Sequence, residues 1–261
     1  MRSLLRLLAV LIAVCAASAA SAAEIKVMIS AGFFNVYKEL GPAFEKASGH
    51  RLVTTRGPSL GDSPEAIPTR LGRGEQADVV IMDGHGADIL DQRGLTQPES
   101  RVRLAESFIG MVVRAGQPKP DISSVEALRK TLLAAKSIAY SDSSSGTYLS
   151  TVGFKTLGIA DEVAGKSRKV RGPPTGEPVA AVVARGEAEV GFQQVAELIH
   201  VPGADFVGTV PREIQPPTWF VGALPKGSQH PDAAVALLRF LSSAEAADVI
   251  TKAGLKPLTA R

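Results

Sequence analysis

The chain has 261 residues, 45% of them hydrophobic, enough to bury a core as one large or two smaller globular units. Its 29 basic residues against 26 acidic ones give a formal charge of +3, which is not a nucleic-acid binder's balance, so any recognition of anions must be local. Cys15 is the only cysteine and sits in a leader-like segment, so a processed chain has no disulfide, thiol nucleophile or cysteine metal site.

Residues 1–22 combine a charged start (Arg2, Arg6), an apolar run to Val14 and the small residues Ala20, Ser21 and Ala22, the three parts of a secretory signal peptide. The run from Leu7 to Val14 is short for a membrane span of roughly 20 residues, and Val14 stands where a lipoprotein signal needs a small residue before its cysteine. Cleavage is expected after Ala22 or Ala23, and loss of Arg2 and Arg6 brings the formal charge from +3 to +1.

Residues 24–29 read as a strand, 30–32 as a small-residue turn, and 35–47 as an amphipathic helix with Val36, Leu40 and Phe44 on one face, stopped by Gly49. A strand over 52–55, a loop over 56–61, a helix over 64–73 and a strand over 78–82 follow. Alternating β and α segments predict a parallel sheet covered by helices, with ligands bound beyond the carboxyl ends of the strands. Ser30, Ser59 and the turn 83–86 all come after strands and are placed at that mouth. The apolar run 107–113 precedes the linker-like 115–120, after which a second α/β unit begins. It has a helix over 125–134, a strand over 137–140, a helix to Leu157, a basic stretch 166–169, a helix over 178–185 and a strand over 188–192. Residues 218–223 lead back to the first unit, and helices over 233–241 and 244–252 close the chain. The divisions are 1–22 for the signal peptide, 23–113 for the first part of lobe I, 114–214 for lobe II, and 215–261 for the return to lobe I.

The stretch 140–148 joins a strand to a helix with hydroxyls at Ser141, Ser143, Ser144, Ser145 and Thr147. A Ser/Gly-rich loop feeding a helix start is a ready cradle for a carboxylate or oxyanion, and a plain N-cap is the other reading. Gly57-Pro58-Ser59-Leu60-Gly61 matches the serine hydrolase elbow formally, but neither His200 nor His230 lies in a segment that announces a catalytic partner. A second anion cradle facing the first is the alternative. Gly165-Lys166-Ser167 lacks the first Gly of a phosphate loop, since Ala160 stands there, and reads as a solvated turn. His50, His85, His200 and His230 show no metal-ligand spacing. His85, beside Asp83 at the strand-end mouth, has the chemistry of an acid or base. Arg73 and Arg114 read as solvated, whereas Arg56, just before the Ser59 loop, and Arg70, in the helix after it, would suit a carboxylate if they point inward.

With facing Ser loops and paired chain crossings, the sequence from about Ile25 to Leu258 resembles the ModA-type periplasmic binding proteins. The resemblance rests on Ser30, on Gly57-Pro58-Ser59 followed by the segment 67–79, and on 185–191. It implies an α/β, two-lobed periplasmic-binding-protein (type 2) fold, each lobe a mostly parallel sheet flanked by helices, with a ligand cleft between lobes that closes by a hinge. It further implies a periplasmic monomer whose ligand is a small anion, with binding positions at Ser30, Ser59, Ser145, Thr147, Val179 and Gln194. Gly32-Phe33-Phe34 and Gln193-Gln194 depart from the molybdate-binding pattern, and an arginine beside the cleft would favour a polycarboxylate. The signatures 57–61, 137–143 and 191–194 are also similar to those of family members that act as isomerases on a tricarboxylate such as aconitate. On that resemblance, Arg56 or Arg70 joins the serines in holding carboxylates, His85 or Asp142 moves a proton, and no metal or organic cofactor is required. The other role the fold can host is a carrier that delivers its anion to an ABC permease.

Overall fold

The computed structural model describes residues 22–61 and 63–258. The signal peptide expected over 1–22 therefore lies, apart from Ala22, outside the described residues. The first described element, strand β1 (Glu24–Ile29), runs directly into helix α1 (Ala31–Ser48). The helix starts four residues before the sequence suggests, because Gly32, Phe33 and Phe34 form its first turns instead of a loop. Phe33, Val36, Tyr37, Leu40 and Phe44 recur at helical spacing and bury one face of it. Gly49, with φ of 74°, ends it by donating its N–H to Glu45 O at 2.9 Å.

Strand β2 (Arg51–Arg56), helix α2 (Ile67–Gly72), strand β3 (Val79–Asp83) and helix α3 (Gly84–Gln92) complete the first α/β run. β1 pairs parallel with β2 and β3, in a register that sets Ile29 beside both Arg56 and Ile81. The residues that follow the three strands therefore emerge at one edge of the sheet. The segment 83–86, which the sequence presents as a turn, is the N-cap and first turn of α3, with Gly86 N donating to Asp83 Oδ1 at 2.9 Å.

Strand β4 (Val102–Ser107) stays in this sheet, but strand β5 (Ile109–Arg114) does not: it pairs with strands of the second sheet. The crossing between lobes thus falls at Phe108, not between 113 and 114, and β5 belongs to lobe II. The apolar run 107–113 hides this, since the crossing residue is itself apolar. Lobe II continues with α4 (Val125–Ala134), β6 (Ile138–Ser141), α5 (Ser144–Tyr148), a π-helical turn Leu149–Gly153, α6 (Phe154–Thr156), α7 (Ala160–Ala164), β7 (Ser167–Val170), α8 (Val179–Ala184), β8 (Val190–Gln194), α9 (Val195–Leu198) and β9 (Ala204–Thr209). Strand β10 (Thr218–Ala223) returns to the first sheet, followed by α10 (Pro231–Leu241), α11 (Ala247–Lys252) and β11 (Lys256–Pro257).

The two sheets run β11-β4-β10-β3-β1-β2 and β7-β6-β8-β5-β9. The two-lobed α/β fold holds, with one correction: each sheet is mixed rather than mostly parallel, because strands next to the crossings enter antiparallel. β10 is antiparallel to β3 and β4, and β5 to β8 and β9. β6 and β8 are parallel, with Tyr140 beside Phe192, so the loops after them also share one edge.

Two glutamines pin the crossings. Gln194 accepts from Ser107 Oγ at 2.7 Å and donates to Thr218 Oγ1 at 2.9 Å, and Gln215 Oε1 accepts from Ile109 N at 2.7 Å. The lobes also touch across the cleft, where Ser144 Oγ donates to Asp83 Oδ2 at 2.6 Å and Arg171 pairs with Glu65 at 3.2 Å.

Glycine is required where the Ser-rich turn folds back on β6: a Cβ on Gly146 would lie 1.7 Å from the Ser141 carbonyl oxygen, a backbone atom with nowhere to go. Gly146→Ala is expected to lower stability by about 1–3 kcal/mol, measured by urea unfolding. An unchanged midpoint would show that the turn is not packed in this way.

Candidate functional site: an anion cleft between the lobes

The edges of the two sheets face each other across a narrow cleft with a cavity volume of about 40 Å³. Ser30 and Gly32 at the start of α1, Pro58 and Ser59 after β2, and Asp83 after β3 line it from lobe I. Asp142 to Ser145 after β6, Pro173 after β7, Gln193 and Gln194 at the end of β8, and Glu197 in α9 line it from lobe II. The strand-end geometry described above is what brings these separate segments together.

Ser30 is the N-cap of an 18-residue helix, yet its hydroxyl makes no capping bond. Its Oγ is buried and has no hydrogen-bond partner among the described residues. The Ser30 N–H is already used, donating to Ile81 O at 2.9 Å. The first-turn amides of a helix lack intrahelical acceptors and carry partial positive charge, so Ser30 presents a donor at the positive end of a long helix. Gly32 keeps the approach close: a Cβ there would meet the Phe220 ring at 2.1 Å.

Ser59 is 4% exposed, and its Oγ accepts from Asp83 N at 3.0 Å, leaving its own proton to give. Ser145 shares a hydroxyl cluster with Ser141 and Ser143 at 3.1 and 3.3 Å. Asp142 also faces the cleft, with Oδ1 accepting from Gly172 N at 3.0 Å. Arg56, the last residue of β2, lies behind the cleft wall. Its guanidinium is 4.0 Å from the centre of the Phe34 ring, and its Nε is buried without a partner among the described residues. Burial draws its pKa down, while the negative charge of Glu197 opposes that shift.

Several residues that the sequence assigns to the site lie elsewhere or are already engaged. His85 is an exposed residue of α3 and lines a lateral groove with Asp88, Tyr148 and Trp219, which adjoins the anion cleft at Asp83, Ser144, Ser145 and Thr218 without His85 lining the cleft itself. Reading 83–86 as a turn placed its ring at the strand-end mouth, whereas the helix carries it past. Thr147 is exposed and lines that same groove. Arg70 is held by Glu75 at 2.6 Å and by the Glu65 carbonyl at 3.1 Å, outside the cleft. Val179 has a fully buried side chain, and its N–H is taken by Gln193 Oε1 at 2.9 Å. Gln194 does line the cleft, but its amide is committed to the two crossing strands. Lys166 caps the end of α4 through the carbonyls of Leu133 and Ala135, both at 2.7 Å, which accounts for it without a phosphate.

Glu197 was not marked by the sequence. It sits in the short helix α9 and lines the cleft, and its Oε2 accepts from Gln193 Nε2 at 2.5 Å. Enclosure by protein pushes its pKa up to about 7, Gln193 and Arg56 pull it back, and the Asp142 charge adds to the rise. No cluster of His, Cys, Asp and Glu suited to a metal ion occurs among the described residues.

The family of bacterial extracellular solute-binding proteins matches residues 25–256. An aconitate isomerase from a Pseudomonas species is 48% identical over 235 residues, covering 90% of this chain and 88% of that protein. The molybdate-binding protein ModA of Azotobacter vinelandii is 29% identical over 97% of both chains. The solved periplasmic molybdate-binding protein of the same organism superposes with a TM-score of 0.70 at 22% identity, over 90% of this chain and all of its own, a likeness of fold. A match running from β1 to β11, on two lobes joined by paired crossings, assigns this chain to the bacterial extracellular solute-binding proteins, as a periplasmic or extracellular member.

Proposed function

We propose that the protein is an aconitate isomerase, interconverting trans- and cis-aconitate by an allylic proton shift in the interlobe cleft. The observation that carries this is the unpartnered, buried Ser30 hydroxyl at the positive end of α1, opposite the hydroxyls of Ser143 and Ser145. Identity of 48% to an aconitate isomerase over 90% of the chain supports the choice of ligand. Aconitate is a small trianion with a methylene next to a carbon–carbon double bond. Loss of a methylene proton gives an allylic carbanion whose charge spreads toward carboxylate oxygens, and return of the proton at the other end moves the double bond.

Ser30, Ser59 and Ser145 donate to substrate carboxylates, and Arg56 adds positive charge behind the wall. Such preorganised donors stabilise the developing charge as well as the ground state. Carboxyl groups within the cleft do the acid–base work, and the proton shift itself calls for no metal or organic cofactor. The leader-like residues 1–22 support export with cleavage after Ala22 or Ala23, and no second copy is needed to complete the cleft, in keeping with a monomer. The second reading is a carrier for a molybdate-like oxyanion or small carboxylate serving an ABC permease, which the likeness to ModA favours.

Proton NMR of trans-aconitate incubated with the purified chain is expected to show cis-aconitate growing to a fixed ratio. Tight molybdate binding without turnover would favour the carrier. Ser30→Ala is expected to leave the melting temperature of the free protein unchanged or raised, since it removes a buried polar atom with no protein partner. The same change should weaken trans-aconitate binding roughly tenfold or more, the effect of losing a hydrogen bond to a charged group. Calorimetric titration showing unaltered affinity would take Ser30 out of the site. His85→Ala should keep turnover within about twofold of wild type, consistent with a surface substitution away from the chemistry. A large loss of kcat would return His85 to the mechanism.

A further inference from the structure

Glu197 is the one carboxyl lining the cleft that accepts no hydrogen bond from the main chain among the described residues. Asp83 is taken up by Gly86 N and Ser144 Oγ, and Asp142 is held by Gly172 N in the loop after β7. Glu197 has a single bond, from Gln193 Nε2 to Oε2. Gln193 is itself fixed at the other end of its amide by Val179 N. A main-chain donor at the start of α8 thus sets the amide, and the amide holds Oε2 of a carboxyl that lines the cleft, with no hydrogen bond to Oε1 among the described residues. Positive charge reaches Glu197 from Arg56 on β2, and negative charge from Asp142 after β6. Nothing in the packing of lobe II requires a carboxyl here, since α9 buries its other residues, Val195, Ala196 and Leu198.

We propose that Glu197 is the catalytic residue that carries the proton in this isomerisation, removing it from the methylene and delivering it to the far end of the allylic system. This rests on the isomerase reading above. The Glu197 carboxylate takes the methylene proton, and the C–H electron pair becomes the new double bond to the central carbon. The electron pair of the old double bond moves to the far carbon, which takes the proton back from the Glu197 carboxyl. Atoms and charge balance with no other reactant. Because the two carbons are separated by a single atom, one carboxyl serves both ends. The geometry of the new double bond is set by the conformer in which the carbanion is held, so the serine cradles decide between cis and trans.

Enclosure suits the task. A carboxyl with pKa near 7 is a far better base than one in water and still ionises near neutrality. Its ionised form must start the reaction, so kcat/KM is expected to rise with pH through about 7 and then level. Asp142 raises the Glu197 pKa, so Asp142→Asn should move that limb to lower pH.

The experiment compares wild type, Glu197→Gln and Asp142→Asn by the same NMR assay across pH, with calorimetric binding of trans-aconitate and thermal melts of the free proteins. Glu197→Gln should lose on the order of 100-fold or more in kcat, as removal of a positioned base does, with binding changed only a few-fold. Above neutral pH its melting temperature should equal or exceed that of wild type, because an enclosed ionised carboxyl has been replaced by a neutral amide. Below the ordinary carboxyl range, where both side chains are neutral, that difference should vanish. A loss of kcat under tenfold with an active wild type overturns the role of Glu197 and leaves the isomerase reading standing. If Glu197→Gln does not fold, the Asp142→Asn profile decides, and an unmoved limb overturns the proposal. A wild type that binds trans-aconitate without converting it overturns both.

Discussion

A strand that turns directly into a long helix, with one serine at the junction, is the constraint around which this cleft is built. Ser30 gives its N–H to the sheet and keeps its hydroxyl for the cleft. The helix behind it cannot shift, because Phe33, Val36, Tyr37, Leu40 and Phe44 lock it into the largest hydrophobic cluster of lobe I. A donor pinned in this way needs no reorganisation when an anion arrives, which is the physical content of a preorganised site. Phe220 on β10 presses against Gly32, so the strand that returns from lobe II also buttresses the helix start.

The same cleft holds three acidic side chains, an odd lining for a binder of polyanions. Their partners resolve the conflict. Asp83 accepts from a backbone amide within its own lobe and from Ser144 of the other, so its charge is spent on holding helix α3 and on bringing the lobes together. Asp142 accepts from the Gly172 amide. Glu197 is left with one amide donor and an enclosure that favours its neutral form. As a protonated acid it adds no negative charge to meet a trianion, and as an anion it is a base. Hydroxyl and amide donors then hold the ligand, with a guanidinium set back behind Phe34 to offset charge without forming a tight pair.

Much of the fold was legible in the chain because the alternation of β1, α1, β2, α2 and β3 is local and periodic. Ser30, Ser59, Ser145 and Asp142 were legible for the same reason: each follows a strand, and parallel strands deliver such residues to one edge. What failed depended on contacts remote in sequence. β5 looks continuous with the apolar run before it, and only pairing with β8 and β9 assigns it to lobe II. β4, β7, β9 and β11 went unread: charged or glycine positions interrupt the first three, and β11 has two residues. His85 and Thr147 line the adjoining groove rather than the cleft, because helix starts were read as turns and a few residues of helix rotate a side chain to another face. Val179 and Gln194 were carried from a family pattern, but here Gln193 and the crossing strands use their hydrogen-bonding groups. Glu197 gave no signal at all. In sequence it is a glutamate in a short helix, normally solvated, and its enclosure arises only when α9 meets α1 of the other lobe, as in the bond from Asn35 Nδ2 to Ala196 O at 3.0 Å.

A crystal structure of the protein with trans-aconitate bound tests the central claim most directly. The ligand is expected between the lobes, with one carboxylate within hydrogen-bond distance of Ser30 Oγ and the first amides of α1, and with its methylene facing Glu197. Aconitate seated instead in the lateral groove beside His85, or a Ser30 hydroxyl still without a partner in the complex, would contradict the account.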